Sequence, residues 1–103
     1  MIHIFSENST SKLTNVNEED IQPNAVDLRL DKVFKIHNSL FELDAKNNKV
    51  HRGSTFIEPD ENGFWCLEPG SYEVIMENII TVGEDEAGWV ITRSTLNRNG
   101  CFI

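Results

Sequence analysis

The sequence predicts an all-β chain, and three observations predict it. Apolar and charged residues alternate at a period of two through the middle of the chain. Pro/Gly turns interrupt it at short intervals, and no segment carries the 3.6-residue periodicity of a long helix. A length of 103 residues predicts one domain spanning residues 1–103.

In order along the chain, residues 6–20 are polar and read as irregular, or partly as a short helix. They include the sequon Asn8-Ser9-Thr10, which carries no meaning without a secretory signal. Ile21-Gln22-Pro23-Asn24 marks a turn, because proline removes a donor and asparagine tolerates turn geometry. From Ala25 a strand is predicted, with Val26, Leu28, Leu30, Phe34 and Ile36 sharing one apolar face. Residues 38–52 hold a short apolar cluster, then Asn47-Asn48, and read as a hairpin arm. A loop follows at 58–63, then a short apolar strand, Phe64-Trp65-Cys66-Leu67, and a turn at Glu68-Pro69-Gly70. Tyr72, Val74 and Met76 alternate with Glu73, Ile75 and Glu77, and Ile79 to Val82 continues extended. Beyond the acidic loop Glu84-Asp85-Glu86, Trp89-Val90-Ile91-Thr92 is predicted as a buried strand.

Composition narrows the function. A formal charge of −8 excludes a general binder of nucleic-acid backbones, which needs a basic surface, yet leaves room for a compact nucleotide site. No apolar run is long enough to span a membrane, and the start lacks a basic leader, so a cytoplasmic location is expected. Cys66 and Cys101 match no zinc spacing; they read as reduced, buried thiols, with a disulfide as the alternative. His3, His37 and His51 are scattered without partners at ligand spacing. The carboxylates at 84–86 read as a solvated loop rather than a metal site, and Phe64, Trp65, Tyr72 and Trp89 as core or interface residues.

The candidate chemistry sits in Thr92-Arg93-Ser94-Thr95-Leu96-Asn97-Arg98-Asn99-Gly100. It reads as an arginine and two hydroxyl residues opening a short helical turn closed by glycine. Hydroxyls, free backbone N–H groups and a forked cation at a helix start suit a phosphate. An ordinary helical turn flanked by basic residues is the plain alternative.

Three segments now stand in order: Ile21-Gln22-Pro23-Asn24-Ala25-Val26-Asp27-Leu28-Arg29-Leu30, Leu67-Glu68-Pro69-Gly70-Ser71-Tyr72-Glu73-Val74, and Arg93 through Gly100. Together they resemble the dUTPase and dCTP deaminase superfamily, in particular its bacterial deaminase and archaeal or phage dUTPase branches, and of these the dUTPases more closely. The resemblance implies a distorted jelly roll, incomplete in this chain, that forms a homotrimer with nucleotide sites where subunits meet. It implies that Arg93, Ser94, Thr95 and Arg98 bind the triphosphate of dUTP or dCTP. It places Asp27 in the first motif, near phosphate and Mg2+, with no residue here a direct metal ligand. Ala25 stands where this branch often has glycine, and Thr95 where a second serine is commoner. The motif that would carry the catalytic base is expected beyond residue 103, so the chain is expected to be the front part of a longer protein or to take its missing strands from elsewhere. The functional expectation is hydrolysis of dUTP to dUMP and diphosphate. The alternatives are dCTP deamination, or a catalytically incomplete trimeric binding or scaffold module of viral type.

Overall fold

The computed structural model describes residues 3–103. Among the described residues, seven strands and one short α-helix succeed one another: β1 Lys12–Leu13, β2 Leu30–Ile36, β3 Glu42–Leu43, β4 Lys49–Val50, β5 Ser54–Ile57, β6 Tyr72–Met76, β7 Ile80–Thr81 and α1 Ser94–Arg98. A 3-10 turn covers Glu18–Asp20. The all-β expectation holds. The strands form three separate sheets and no closed barrel, and the chain divides into two compact units.

One unit is Leu28–Asn78. Its centre is the antiparallel sheet β5-β2-β6. Val33 pairs with Ile57 on one side and Val74 on the other, and is fully buried, as a β-branched residue on a central strand favours. Phe34 faces Phe56 across the strands with ring centroids 5.5 Å apart. The predicted parity is corrected here. The register shifts between Leu30 and Lys32, so the face of Leu30, opposite Met76, passes to Val33, opposite Val74; Val33 is the buried side chain and Leu30 is exposed. The strand also starts at Leu30 rather than Ala25.

The expected hairpin arm is β3-β4. Its turn is organised by the Asp44 carboxylate, which accepts N–H groups of Lys46 and Asn48 and the Asn48 amide, while Asn47 takes φ 63°. Those donors favour the ionised form and hold the Asp44 carboxyl below its ordinary range. The predicted strand at 64–67 is irregular instead.

The other unit joins the N-terminal segment through Asp27 with Ile79–Ile103. Here β1 pairs β7, Lys12 opposite Thr81 and Leu13 opposite Ile80. The expected turn at 21–24 is closed by Gln22 N–H donating to Ala25 O at 2.9 Å, with Ile21 and Val26 bridged antiparallel. Two further expectations fail. Residues 89–92 form no strand, and Trp89 and Ile91 are 90% and 82% exposed. Cys66 and Cys101, one in each unit, are free and exposed rather than buried. Phe64 is exposed, and Trp65 and Tyr72 are half-buried, so none of the four aromatic residues named above is a core residue.

Candidate functional site

Two of the motif residues meet directly. The carboxylate of Asp27 lies 3.3 Å from the Arg93 guanidinium; the Asp27 side chain is 22% exposed and that of Arg93 73%. Both belong to the unit formed by the chain's two ends. Local bonding fixes where Asp27 points. The turn at 22–25 precedes it, its N–H donates to Asp20 O at 2.8 Å, and Gln22 Nε2 donates to Asp27 Oδ2 at 3.2 Å. Behind that turn the His3 ring bridges Gln22 O and Ala25 O from Nε2, at 3.0 and 3.2 Å, while Nδ1 accepts the Phe5 N–H. Since both partners of Nε2 are carbonyls, Nε2 carries the proton.

Arg93 occupies the cap position of α1 in an extended conformation, φ −68° and ψ 160°, and gives the helix no side-chain cap hydrogen bond. The first turn therefore opens with Ser94 and Thr95, both exposed, and without the side-chain acceptor that Ser, Asp or Asn at the cap would provide. The turn is short because it is clasped at both ends. Thr92 Oγ1 bonds Asn97 Oδ1, and Asn97 Nδ2 returns to Thr92 O at 3.4 Å. At the far end Cys101 N–H reaches Leu96 O at 2.9 Å and Gly100 takes φ 76°, the left-handed stop that glycine tolerates. Arg98 lies in the last turn, at the opposite end of α1 from Arg93. The structure thus brings together Asp27 and Arg93, with Ser94 and Thr95 next in the chain, and leaves Arg98 one helix length away.

The donor set near Asp27 offers no protein cage for a metal. Among the described residues no three His, Cys, Asp or Glu side chains converge. A magnesium ion here would arrive as the counter-ion of a polyphosphate, which is how this ion is often held, by one or two carboxylates and substrate oxygens.

A second carboxylate departs from the solvated reading of the acidic loop. Glu86 is half-buried and accepts from five groups: the Thr10 and Ser11 N–H at 2.7 and 2.9 Å and the hydroxyls of Ser9, Thr10 and Ser11 at 2.8–3.0 Å. These donors, led by the Thr10 hydroxyl and N–H, pull the Glu86 carboxyl down to about 2. Sequence reasoning missed Glu86, Gln22 and the Thr92–Asn97 clasp. Only the capacity of Ser/Thr runs to hold an anion hinted at the first.

What the geometry defines is a β protein that presents an exposed arginine beside an uncapped, hydroxyl-bearing turn. The comparisons with known proteins narrow it. The dCTP deaminase-like family profile matches residues 3–103, and the chain belongs to that family. It is 32% identical over 87 residues to the probable deoxyuridine 5'-triphosphate nucleotidohydrolase of Methanococcoides burtonii, covering 84% of this chain and 51% of that protein. It is 30% identical over 98 residues to the deoxyuridine 5'-triphosphate nucleotidohydrolase of Methanocaldococcus jannaschii, covering 92% and 63%. The dUMP-forming dCTP deaminase of Salinispora tropica is 30% identical over 83 residues, covering 78% and 43%. The chain spans about half the length of such relatives. No solved structure matches it. Among the described residues no helix is long and apolar enough to cross a membrane.

Proposed function

We propose that this chain is the phosphate-binding part of a dUTPase that hydrolyses dUTP to dUMP and diphosphate. The observation that carries the reading is the exposed Arg93 guanidinium at the head of an uncapped hydroxyl-bearing turn, 3.3 Å from Asp27. Arg93 would fork onto phosphate oxygens, and Ser94 and Thr95 would donate hydroxyl and backbone N–H groups to the same phosphates. Arg98, at the far end of α1, would serve the distal part of the triphosphate or a neighbouring subunit's ligand. Magnesium would neutralise the remaining phosphate charge. Water attack at phosphorus needs an oriented base, and that base would be an aspartate beyond residue 103. In this reading the residues described here hold and position the substrate.

The oxyanion turn serves dCTP equally well, and relatives named for both activities match the chain, so base preference belongs to the rest of the protein. A homotrimer fits the surface. Apolar side chains such as Trp89, Ile91, Phe102 and Leu40 are 73–90% exposed, far more than a lone domain leaves uncovered, and a closed ring covers both apolar patches and strand edges. A cytoplasmic location, in a phage-infected or archaeal-type host, accords with use of cellular nucleotides. A binding or scaffold module that keeps the phosphate contacts without turnover is the reading that remains if activity is absent.

The test is nucleotide titration and product analysis with Arg93→Ala. Loss of a charge-assisted phosphate contact should cost about 2 kcal/mol, roughly thirtyfold in affinity. Unchanged affinity for dUTP would remove Arg93 from the site. Ammonia release from dCTP would assign deamination instead.

A further inference from the structure

The unit Leu28–Asn78 carries none of the arginine motif, yet it holds a basic cleft of about 290 Å³ lined by Lys35, His37, Asn38, Arg52, Gly70 and Ser71. We propose that this cleft is a second oxyanion site that binds one phosphate or diphosphate group of a small molecule.

The sheet topology assembles it. Lys35 and His37 are two residues apart at the end of β2, so they share a face. On one side Ile36 pairs with Ser54 of β5, and His37 N–H donates to Gly53 O at 2.8 Å, which brings in Arg52. On the other side Lys35 pairs with Tyr72 of β6, and Ile36 N–H donates to Ser71 O at 3.0 Å, which brings in Gly70 and Ser71. Three strand ends therefore converge, and none of the residues lining the cleft is acidic, in a chain whose Asp and Glu outnumber Lys and Arg 17 to 9.

The cations are held in place. Lys35 Nζ donates to Pro69 O at 3.3 Å and lies 4.5 Å over the Tyr72 ring. Arg52 Nε donates to Ser39 O at 2.6 Å, which fixes the guanidinium while its terminal NH2 groups keep the fork geometry that matches two oxygens of a phosphate. The His37 ring is anchored through Nε2 to Thr55 Oγ1 at 2.6 Å. Two glycines leave the room these groups need. A Cβ on Gly53 would stand 2.9 Å from His37 Nδ1, and one on Gly70 would stand 1.8 Å from Lys35 Nζ. Asn38 and Ser71 add an amide and a hydroxyl as neutral donors. The volume lies at the small end of ligand pockets, which suits a phosphate or diphosphate group and not a whole nucleotide.

Pyrophosphate and inorganic phosphate are each titrated into the 15N-labelled protein at constant ionic strength, with chloride as the control for charge alone. The expected result is saturable movement of the Gly53, Gly70 and Ser71 amide signals. Arg52→Gln and Lys35→Gln should each weaken it at least about fivefold while amide dispersion reports an intact fold. Arg93→Ala should leave these shifts unchanged, which separates this site from the arginine turn. Absence of movement, equal movement with chloride, or dependence on Arg93 and not on Arg52 or Lys35 each overturns the proposal. Stronger movement with pyrophosphate assigns a diphosphate group as the ligand, and equal movement assigns a single phosphate.

Discussion

Two carboxylates in the same unit meet opposite fates. Glu86 is wrapped by five N–H and O–H donors, whereas Asp27 is shared between one neutral amide, Gln22, and one exposed cation, Arg93. The difference lies in what each bond can be exchanged for. Ser9, Thr10 and Ser11 belong to a polar segment whose N–H groups have found a permanent acceptor, so Glu86 acts as a fastening between the N-terminal segment and the loop before Trp89. An exposed ion pair such as Asp27–Arg93 contributes less than about 1 kcal/mol, and an incoming phosphate can replace it. One carboxylate builds structure, and the other, on the proposed reading, keeps an arginine available to phosphate.

Breaking the fastening should give the largest effect. Glu86→Ala leaves five donors without their acceptor and should lower the unfolding midpoint more than any substitution at Asp27. Acid sharpens the same point. The folded carboxyl sits at about 2 against an ordinary 4.5, so its contribution is fully present above about 4.5 and is lost as pH falls through about 2. Urea unfolding at stepped pH between 5 and 2 should show stability declining over this window, and Glu86→Gln should flatten the decline. An equal slope in the variant would mean that other carboxylates control acid unfolding.

The waiting arginine is tested by removing its internal partner. Asp27→Asn keeps the amide-like shape but deletes the charge that competes with phosphate, so tripolyphosphate in the absence of magnesium should bind about three- to tenfold more tightly. With magnesium present the same variant should lose that advantage, because the carboxylate is then the natural neighbour of the cation. Weaker binding in both conditions would show that Asp27 orients Arg93 rather than restraining it.

How much of this was legible depends on whether the signal was local. The turn predicted at 21–24, the helical turn after Arg93, the hairpin around Asn47 and the loop at 58–63 each rest on residues a few positions apart, and sequence reading located all of them. Failures came where distant segments decide. The bulge between Leu30 and Lys32 moved the buried position of β2 from the apolar parity of Leu30 and Phe34 to Val33. Trp89-Val90-Ile91 has strand composition, yet no strand of the described residues pairs with it, and composition cannot supply a partner. Glu86 is 76 residues from Thr10, so no window could have joined them. Family resemblance put Asp27 and Arg93 each near the phosphates, while their ion pair came only from the fold.

The smallest expected effect concerns how the arginine turn ends. Gly100 has φ 76°, and its position lets Cys101 N–H return to Leu96 O, stopping α1 after five residues. A side chain there must enter the left-handed region, so Gly100→Ala should cost about 1 kcal/mol. Nothing lies within 4 Å of the added Cβ, so the penalty is conformational and not steric. Asparagine tolerates this conformation better than alanine, and Gly100→Asn should recover part of the loss. If phosphate affinity stays constant while stability falls in alanine and partly returns in asparagine, the end of the turn supports the fold alone. A parallel fall in affinity would instead tie the placement of Arg93 and Ser94 to the way the helix stops, making the clasp at Thr92–Asn97 and Gly100 part of the same phosphate-holding unit as Asp27.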